Sequence, residues 1–155
     1  MLNNSVGIVV WRGKAYFTAQ GRFPSGIYAD MEPVYVAELE SGAFVAAAEK
    51  ILALGISQLP EVTAEEWRKR SDPILKATKA RSWRELGRTG VSYGIDWTDE
   101  YVRIDMSYRD KQGRWQNDPA KVRILPPDTP LEDIIGVILA DIRTRPEALD
   151  PAPHR

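Results

Sequence analysis

Two segments near the start of the chain have the composition of β-strands, and later segments alternate between hydrophobic and polar residues with the period of a strand that buries one face. Residues 6–11 and 15–20 are rich in β-branched and aromatic side chains. Gly13 and Lys14 lie between them, and this pair is typical of a tight turn. The pattern therefore predicts a β-hairpin.

Hydrophobic and polar residues alternate in a segment that follows this hairpin. Residues 34–39 predict a third strand, with Tyr35, Ala37 and Leu39 on its buried face and Glu38 facing solvent with Glu40. Further strands are predicted at residues 91–97, 101–108, 114–116 and 121–125. Because short turns connect neighbouring strands, most of the pairing is expected to be antiparallel.

Helical periodicity separates and follows these strands. The clearest apolar stripe comprises Leu131, Ile134, Ile135, Ile138, Leu139 and Ile142. An earlier stripe, Phe44, Val45, Ala48, Ile51 and Leu52, predicts a helix capped by Ser41 and ended by Gly55. Three Ser/Thr-x-x-Glu signatures predict capping boxes: Thr63 with Glu66, Ser82 with Glu85, and Thr129 with Glu132. Trp67 and Trp83 occupy the predicted core positions of two short helices, and residues 73–80 have no decisive pattern.

Strands grouped apart from helices predict an α+β fold with a mostly antiparallel, curved sheet of about six strands and helices packed on it. A length of 155 residues suits one domain. We expect this domain to span residues 1–145, and the Pro-rich residues 146–155 to form a flexible tail.

Composition adds the expected environment. The chain is 43% hydrophobic and 28% charged, with a net charge of -1 and no cysteine. No stretch has the layout of a signal peptide or the length of apolar sequence needed to span a bilayer. These features predict a cytoplasmic protein without bias toward membrane or nucleic acid.

The charges are unevenly distributed along the chain. No Lys or Arg occurs between Phe23 and Glu49, a stretch that contains Asp30, Glu32, Glu38 and Glu40. Residues 68–88 are conversely rich in Lys and Arg. Each segment has two interpretations. Both can be solvated faces that pair across the fold. Alternatively, the acidic segment docks a basic partner and the basic segment contacts phosphate.

Few residues suggest catalysis. The single histidine, His154, lies next to the C-terminus, and the absence of cysteine removes the usual nucleophile–base pairs and Cys/His metal sites. A carboxylate-dependent hydrolase remains an alternative, because four acidic residues lie close together in sequence: Asp96, Asp99, Glu100 and Asp105. A polar strand edge and turn is the interpretation that the pattern favours for them.

Residues 73–90 carry a longer pattern, P-x-L-K-A-T-x-x-x-S-W-x-x-x-x-R-x-G, followed directly by a predicted strand. The matching residues are Pro73, Leu75, Lys76, Ala77, Thr78, Ser82, Trp83, Arg88 and Gly90. With this pattern the chain resembles small bacterial immunity proteins of contact-dependent growth inhibition and related polymorphic toxin systems. The similarity continues through residues 99–143 and covers about half of the chain.

The resemblance implies a non-catalytic cytoplasmic protein that binds and neutralises a cognate toxin, such as a nuclease domain at the C-terminal end of a large secreted effector. It implies no cofactor, no metal, no membrane and no direct nucleic-acid contact. Combined with the acidic segment and with aromatic residues near strand ends, it predicts a toxin-binding surface formed by Asp30, Glu32, Glu38, Glu40, Trp97, Asp99 and Trp115. A protein-interaction module of another kind is the remaining alternative.

Overall fold

A computed structural model describes residues 4–55 and 59–151 of the chain. Along the sequence, the elements are β1 (Asn4–Trp11), β2 (Lys14–Arg22), β3 (Tyr28–Glu38), α1 (Ser41–Leu54), α2 (Ala64–Lys69), α3 (Pro73–Thr78), α4 (Trp83–Thr89), β4 (Val91–Trp97), β5 (Val102–Arg109), β6 (Trp115–Asn117), β7 (Arg123–Leu125), α5 (Leu131–Ile142) and α6 (Pro146–Leu149). The predicted α+β fold with a mostly antiparallel sheet in a single domain is confirmed.

The sheet is antiparallel throughout and has the strand order β3-β2-β1-β4-β5-β6, with β7 also paired to β5. Its centre is the pairing of β1 with β4, two strands that are distant in sequence. Strand β3 starts at Tyr28, earlier than predicted, because the ladder continues past a register shift opposite Thr18 and Ala19. Pro33 lies at this irregularity, where a missing backbone N–H is tolerated.

One face of the sheet is covered by α1 and α5. The core between them contains alternate residues of the central strands, including Ile8, Phe17 and Ile104, which are all inaccessible to solvent. Phe17 meets Phe44 of α1 edge to face, with ring centroids 5.1 Å apart. On α5, the predicted stripe Ile134, Ile135, Ile138, Leu139 and Ile142 is buried, as its helical spacing requires.

The opposite face of the sheet is only partly covered. Helices α3 and α4 pack on one half of it, where Trp11 and Tyr16 contact Ile74 and Leu86 in a second, smaller core. The remaining half of this face is not packed under a helix and carries polar side chains. The short helices therefore leave an open concavity on the sheet.

The prediction that Trp67 and Trp83 lie in the core is wrong. Trp67 is 43% exposed and packs edge to face on Phe23, while Trp83 is 39% exposed. Helices α2 and α4 have six and seven residues, fewer than two full turns, so their sequences do not define a unique buried face. Leu86 takes the core position in α4.

One predicted capping box is confirmed, and in a second only one of the two expected hydrogen bonds forms. Thr63 accepts from the Glu66 backbone at 3.1 Å and donates its own N–H to the Glu66 carboxylate at 3.4 Å. Ser82 accepts from the Glu85 backbone at 3.2 Å, but the Glu85 carboxylate binds the N–H of Arg81 instead.

The third capping box is absent. Pro130 is the N-cap of α5 and makes no side-chain cap, and the Thr129 hydroxyl donates to the Pro126 carbonyl at 2.7 Å. The carbonyl of Pro130 accepts from the N–H groups of Asp133 and Ile134, so the first turn of α5 is closed by the backbone and not by a capping side chain.

The C-terminal segment differs from the predicted loose tail. Residues Pro146–Leu149 form α6, Ala148 is fully buried, and its carbonyl accepts from the N–H of Gly13 at 2.9 Å. The sequence pattern fails here because Pro at the first helical position starts a new turn instead of ending the fold. Residues 152–155, with His154, lie outside the described part of the chain.

Among the helices of the described ranges, none combines the length and the apolar character that a bilayer-crossing helix requires.

Candidate functional site

The open half of the sheet's second face forms a groove with a volume of about 370 Å³. Strands β1, β2, β4 and β5 form its floor, β3 one side, and α4 and β6 contribute aromatic side chains at its rim. We refer to it as the sheet groove. Its walls carry Asp30, Asp96 and Asp105, together with hydroxyl and amide groups.

Two glycines form the floor. Gly7 of β1 and Gly94 of β4 are directly paired across the two central strands of the sheet. A Cβ added at Gly94 would meet no atom closer than the Asp105 Cβ at 4.0 Å, so the space above it is open. A Cβ at Gly7 would lie only 3.0 Å from the Thr18 hydroxyl. Glycine inside a strand weakens a sheet and often marks close approach by a ligand or another backbone.

A hydrogen-bond network holds Asp30 at one end of the groove. Its carboxylate accepts from the Thr18 hydroxyl at 3.0 Å and from the Gln20 amide at 3.3 Å, and Gln20 in turn accepts from Ser5 at 2.7 Å. Burial raises the pKa of Asp30 above its ordinary value, an effect that these two hydrogen bonds only partly offset. The backbone carbonyl of Asp30 accepts from Arg70.

Asp96 and Asp105 lie at the other end, on β4 and β5. Arg103 is cross-strand neighbour to Asp96, but its guanidinium binds Asp105 with contacts of 3.1–3.2 Å. Burial raises the pKa of Asp96 and the negative charge of Asp105 raises it further, while hydrogen bonding with Ser5 and the positive charge of Arg103 lower it without offsetting burial. Within the described ranges, neither Asp30 nor Asp96 forms an ion pair with Lys or Arg.

Aromatic rings border the groove. Trp83 and Trp115 meet edge to face at 5.8 Å, and their indole N–H groups donate at 3.0 Å to Asp72 and to the Gly90 carbonyl. Tyr28 lines another side and is 40% exposed. The indole hydrogen bonds orient both tryptophans within the fold.

This arrangement suits the recognition of a cation. Buried carboxylates whose charge is only partly compensated attract positive charge, and aromatic faces bind guanidinium and ammonium groups. Over the part of the chain that the structure describes, no three His, Cys, Asp or Glu side chains are grouped so that they could hold a metal ion.

The structure brings some of the predicted toxin-binding residues together. Asp30 and Trp115 both line the sheet groove. Glu32 lies on the exposed part of β3 and pairs with Lys76 at 3.5 Å. Glu38 is exposed at the other end of β3, opposite Lys14, and is thus separated from Asp30 along the strand.

The remaining predicted residues have structural contacts of their own. Glu40 is the N-cap of α1, one residue before the predicted cap at Ser41, and accepts from the Ala43 N–H at 3.0 Å. Trp97 packs against the main core and donates to the Pro127 carbonyl at 3.0 Å. Asp99 lies in the exposed turn after β4.

The uncharged residues of the groove were not predicted from the sequence. Ser5, Gly7, Thr18 and Gln20 occur in segments recognised as strands, but their contribution depends on which strands pair. Gly94 could have indicated the groove, because a glycine in a predicted central strand indicates a bulge or a close approach by another group. Its pairing with Gly7 could not be read from local pattern.

Comparison with known proteins adds structural relatives. No protein-family model and no curated protein matches the sequence. A protein of unknown function from Neisseria meningitidis has the same fold, with a TM-score of 0.65 and 18% identity over 91% of this chain and 94% of that chain. A chain of the CdiA-CT/CdiI toxin and immunity complex from Yersinia pseudotuberculosis also has a TM-score of 0.65, with 10% identity over 92% of this chain and 98% of that chain. At these identities the similarity establishes the fold.

Proposed function

We propose that the chain is an immunity protein that binds and neutralises a cognate toxin domain. The observation that carries this proposal is the fold, which is shared over nearly the whole of both chains with a chain of a toxin and immunity complex. The residue pattern 73–90 supports the same class of protein, and the open sheet groove supplies a surface for a partner. The partner would be the C-terminal domain of a large secreted effector, encountered in the cytoplasm.

A nuclease toxin fits the charge of the groove. An enzyme that cleaves nucleic acid must attract phosphate, so its cleft carries basic side chains. The groove places Asp30, Asp96 and Asp105 on one concave surface. Complementary charges of this kind accelerate association and give specificity.

Co-expression tests this function. The C-terminal region of the secreted effector encoded directly beside this chain should arrest growth when expressed alone, and the chain should restore growth and co-purify with it. Persistent growth arrest in the presence of well-expressed, folded chain would refute the proposal.

A second candidate is a carboxylate-dependent hydrolase. Asp96 supports it, because a carboxyl group with a raised pKa can act as a general acid beside a second carboxylate such as Asp105. Against it, Asp105 is already bound by Arg103. Turnover of chromogenic glycosides or phosphodiesters by the purified chain, abolished in Asp96→Asn, would favour the hydrolase.

A further inference from the structure

We infer that the sheet groove receives an arginine side chain of the toxin domain, with its guanidinium over Gly94 and between the carboxylates of Asp30 and Asp96. This inference rests on the proposed function, because the occupant belongs to the toxin. It goes further in assigning the contact surface and the chemistry of the group that enters it.

The shape of the groove admits a side chain. Its volume, about 370 Å³, is at the lower end of small-ligand sites, which have about 300–1,000 Å³. The floor at Gly94 has no Cβ, and the nearest atom to one built there is the Asp105 Cβ at 4.0 Å. A partner group can therefore approach the central strands directly, which larger residues at this position would prevent.

The charge of the groove requires a cation. Asp30 is held only by neutral donors, the Thr18 hydroxyl and the Gln20 amide. Of the charged residues around it, Arg70 contacts its backbone carbonyl and attracts the carboxylate, while Asp72 repels it; burial outweighs the attraction, so the charge of Asp30 is only partly compensated. Carboxylates buried without a positive partner are destabilising, and a cation from outside would compensate them. An anionic ligand would be repelled, and an apolar one would remove water without replacing its hydrogen bonds.

The rim selects arginine among cations. Trp83 and Trp115 offer aromatic surfaces beside the carboxylates, and Tyr28 already has the guanidinium of Arg22 over its ring, 5.8 Å from the centroid. The planar guanidinium stacks on such rings and at the same time donates to carboxylates on two sides, whereas the compact ammonium of lysine is more strongly hydrated. Both indole N–H groups are occupied by protein acceptors, so the ring faces and not these donors are available to the ligand.

A steric plug tests the location. Gly94→Leu places a side chain in the open groove, and Gly136→Leu on α5 is the matched control, because a Cβ there also meets no atom within 4 Å. We expect Gly94→Leu to bind the purified toxin region encoded beside the chain at least about 30-fold more weakly. The control should bind as wild type does, and both variants should unfold cooperatively. Unchanged affinity of folded Gly94→Leu overturns the inference while leaving the proposed function intact.

Charge variants separate this surface from the one predicted by sequence. Asp30→Asn and Asp96→Asn keep the shape of the carboxyl group, and each should weaken binding. Glu38→Lys, at the far end of β3, should leave it nearly unchanged. Loss of affinity in Glu38→Lys with full affinity in the two asparagine variants would overturn the groove and favour the exposed end of β3.

Substitution of each surface arginine of the toxin identifies the occupant. One Arg→Ala change should weaken binding to the wild-type chain and cause no further loss with Gly94→Leu, since both changes remove the same contact. Replacement of that arginine by lysine should restore only part of the affinity. Additive losses for every toxin arginine, or full rescue by lysine, would overturn the assignment of arginine. Failure of the wild-type chain to bind the toxin at all would overturn the proposed function as well.

Discussion

The two paired glycines of the groove have different surroundings, although they are directly opposite in the sheet. Gly94 lies below open space, while Gly7 is surrounded by Thr18, Gln20 and Asp30. Glycine costs about 0.5–1 kcal/mol relative to alanine inside a strand, mainly through backbone entropy. Glycine at an uncrowded central position therefore costs stability. Binding of a partner in the space above it would account for that cost.

This contrast gives a stability prediction. Gly94→Ala should raise the free energy of unfolding by about 0.5–1 kcal/mol, since the added methyl group enters free space. Gly7→Ala should give no such gain, because its Cβ would lie 3.0 Å from the Thr18 hydroxyl. Urea unfolding of the two variants measures the difference. A stabilised Gly7→Ala with an unchanged Gly94→Ala would contradict the described geometry.

Another residue, Asp141, connects α5 through its carboxylate to β4 and to two connecting segments. It accepts from Tyr93 at 2.7 Å and from Lys121 at 2.8 Å, and it pairs with Arg145 at 3.3 Å. Arg145 also donates to the Ser107 carbonyl at 2.7 Å. Burial would raise the pKa of Asp141, but its positive and hydrogen-bonding neighbours outweigh burial and lower it.

Replacing Asp141 should therefore be costly. Asp141→Ala leaves the Tyr93 hydroxyl and two cations without their acceptor, and we expect a loss of about 1.5–3 kcal/mol in the free energy of unfolding. Asp133→Ala, at an exposed carboxylate in the first turn of the same helix, is the control and should change stability much less. Chemical denaturation distinguishes the two, and equal losses would show that Asp141 has no special role.

At the scale of elements, α5 is the clearest case of structure fixed by local pattern. Ile138 lies at the middle of its stripe and is fully buried. Ile138→Asp would place a charge in the main core without a partner and should cost several kcal/mol, roughly enough to unfold a marginal domain. Circular dichroism and thermal melting would detect the loss. A cooperatively melting Ile138→Asp chain of near wild-type stability would contradict the packing of α5.

Local pattern predicted the long elements and failed on the short ones. The apolar stripes of α1 and α5 and the alternation of β4 and β5 are repeated often enough to identify a buried face, and the β-branched and aromatic runs of β1 and β2 identify strands that are buried along most of their length. Helices α2 and α4 are too short for that, and their tryptophans pack at the surface, Trp67 on Phe23 and Trp83 on Trp115. Capping signatures were similarly limited, because an acceptor such as Glu85 had a nearer donor in Arg81.

The candidate site was less predictable than the fold because it depends on pairing across the sheet. Asp30, Asp96 and Trp115 could each be selected from the sequence, as acidic or aromatic residues near strand ends. That they border one groove follows from the insertion of β1 between β2 and β4, which places Gly7 beside Gly94. Contacts between strands so distant in sequence are not encoded in any local period.

For the whole molecule, the proposed absence of catalysis and of metal dependence is open to a direct test. Dialysis against a chelator should leave the melting temperature unchanged, because immunity by binding needs no metal. His154→Ala should protect cells against the toxin as well as the wild-type chain does. A chelator-dependent shift in melting, or loss of protection by a folded His154→Ala chain, would contradict a purely binding function.

The carboxylates of the groove and of Asp141 have opposite effects on how the stability of the whole molecule depends on pH. The folded-state pKa values of Asp30 and Asp96 are raised above the ordinary value of 3.8, so the folded state holds their protons more tightly than the unfolded state does. Their ionised forms therefore destabilise the protein at neutral pH, and the penalty is relieved as the pH falls through the raised values toward 3.8. The pKa of Asp141 is lowered, so its stabilisation is complete above 3.8 and is lost only as the pH falls below that value.

The double variant Asp30→Asn/Asp96→Asn should accordingly be more stable than the wild type at about pH 7, and this advantage should shrink as the pH falls to about 4. Asp141→Asn should be less stable at both pH values, and its deficit should narrow only at more acidic pH. Urea unfolding of the three proteins across this range separates the two effects. The double variant should also bind the toxin more weakly, because the same carboxylates would hold the incoming arginine. Lower stability of the double variant at neutral pH would mean that the two carboxylates stabilise the fold. That result would contradict the inference that they serve to bind a partner.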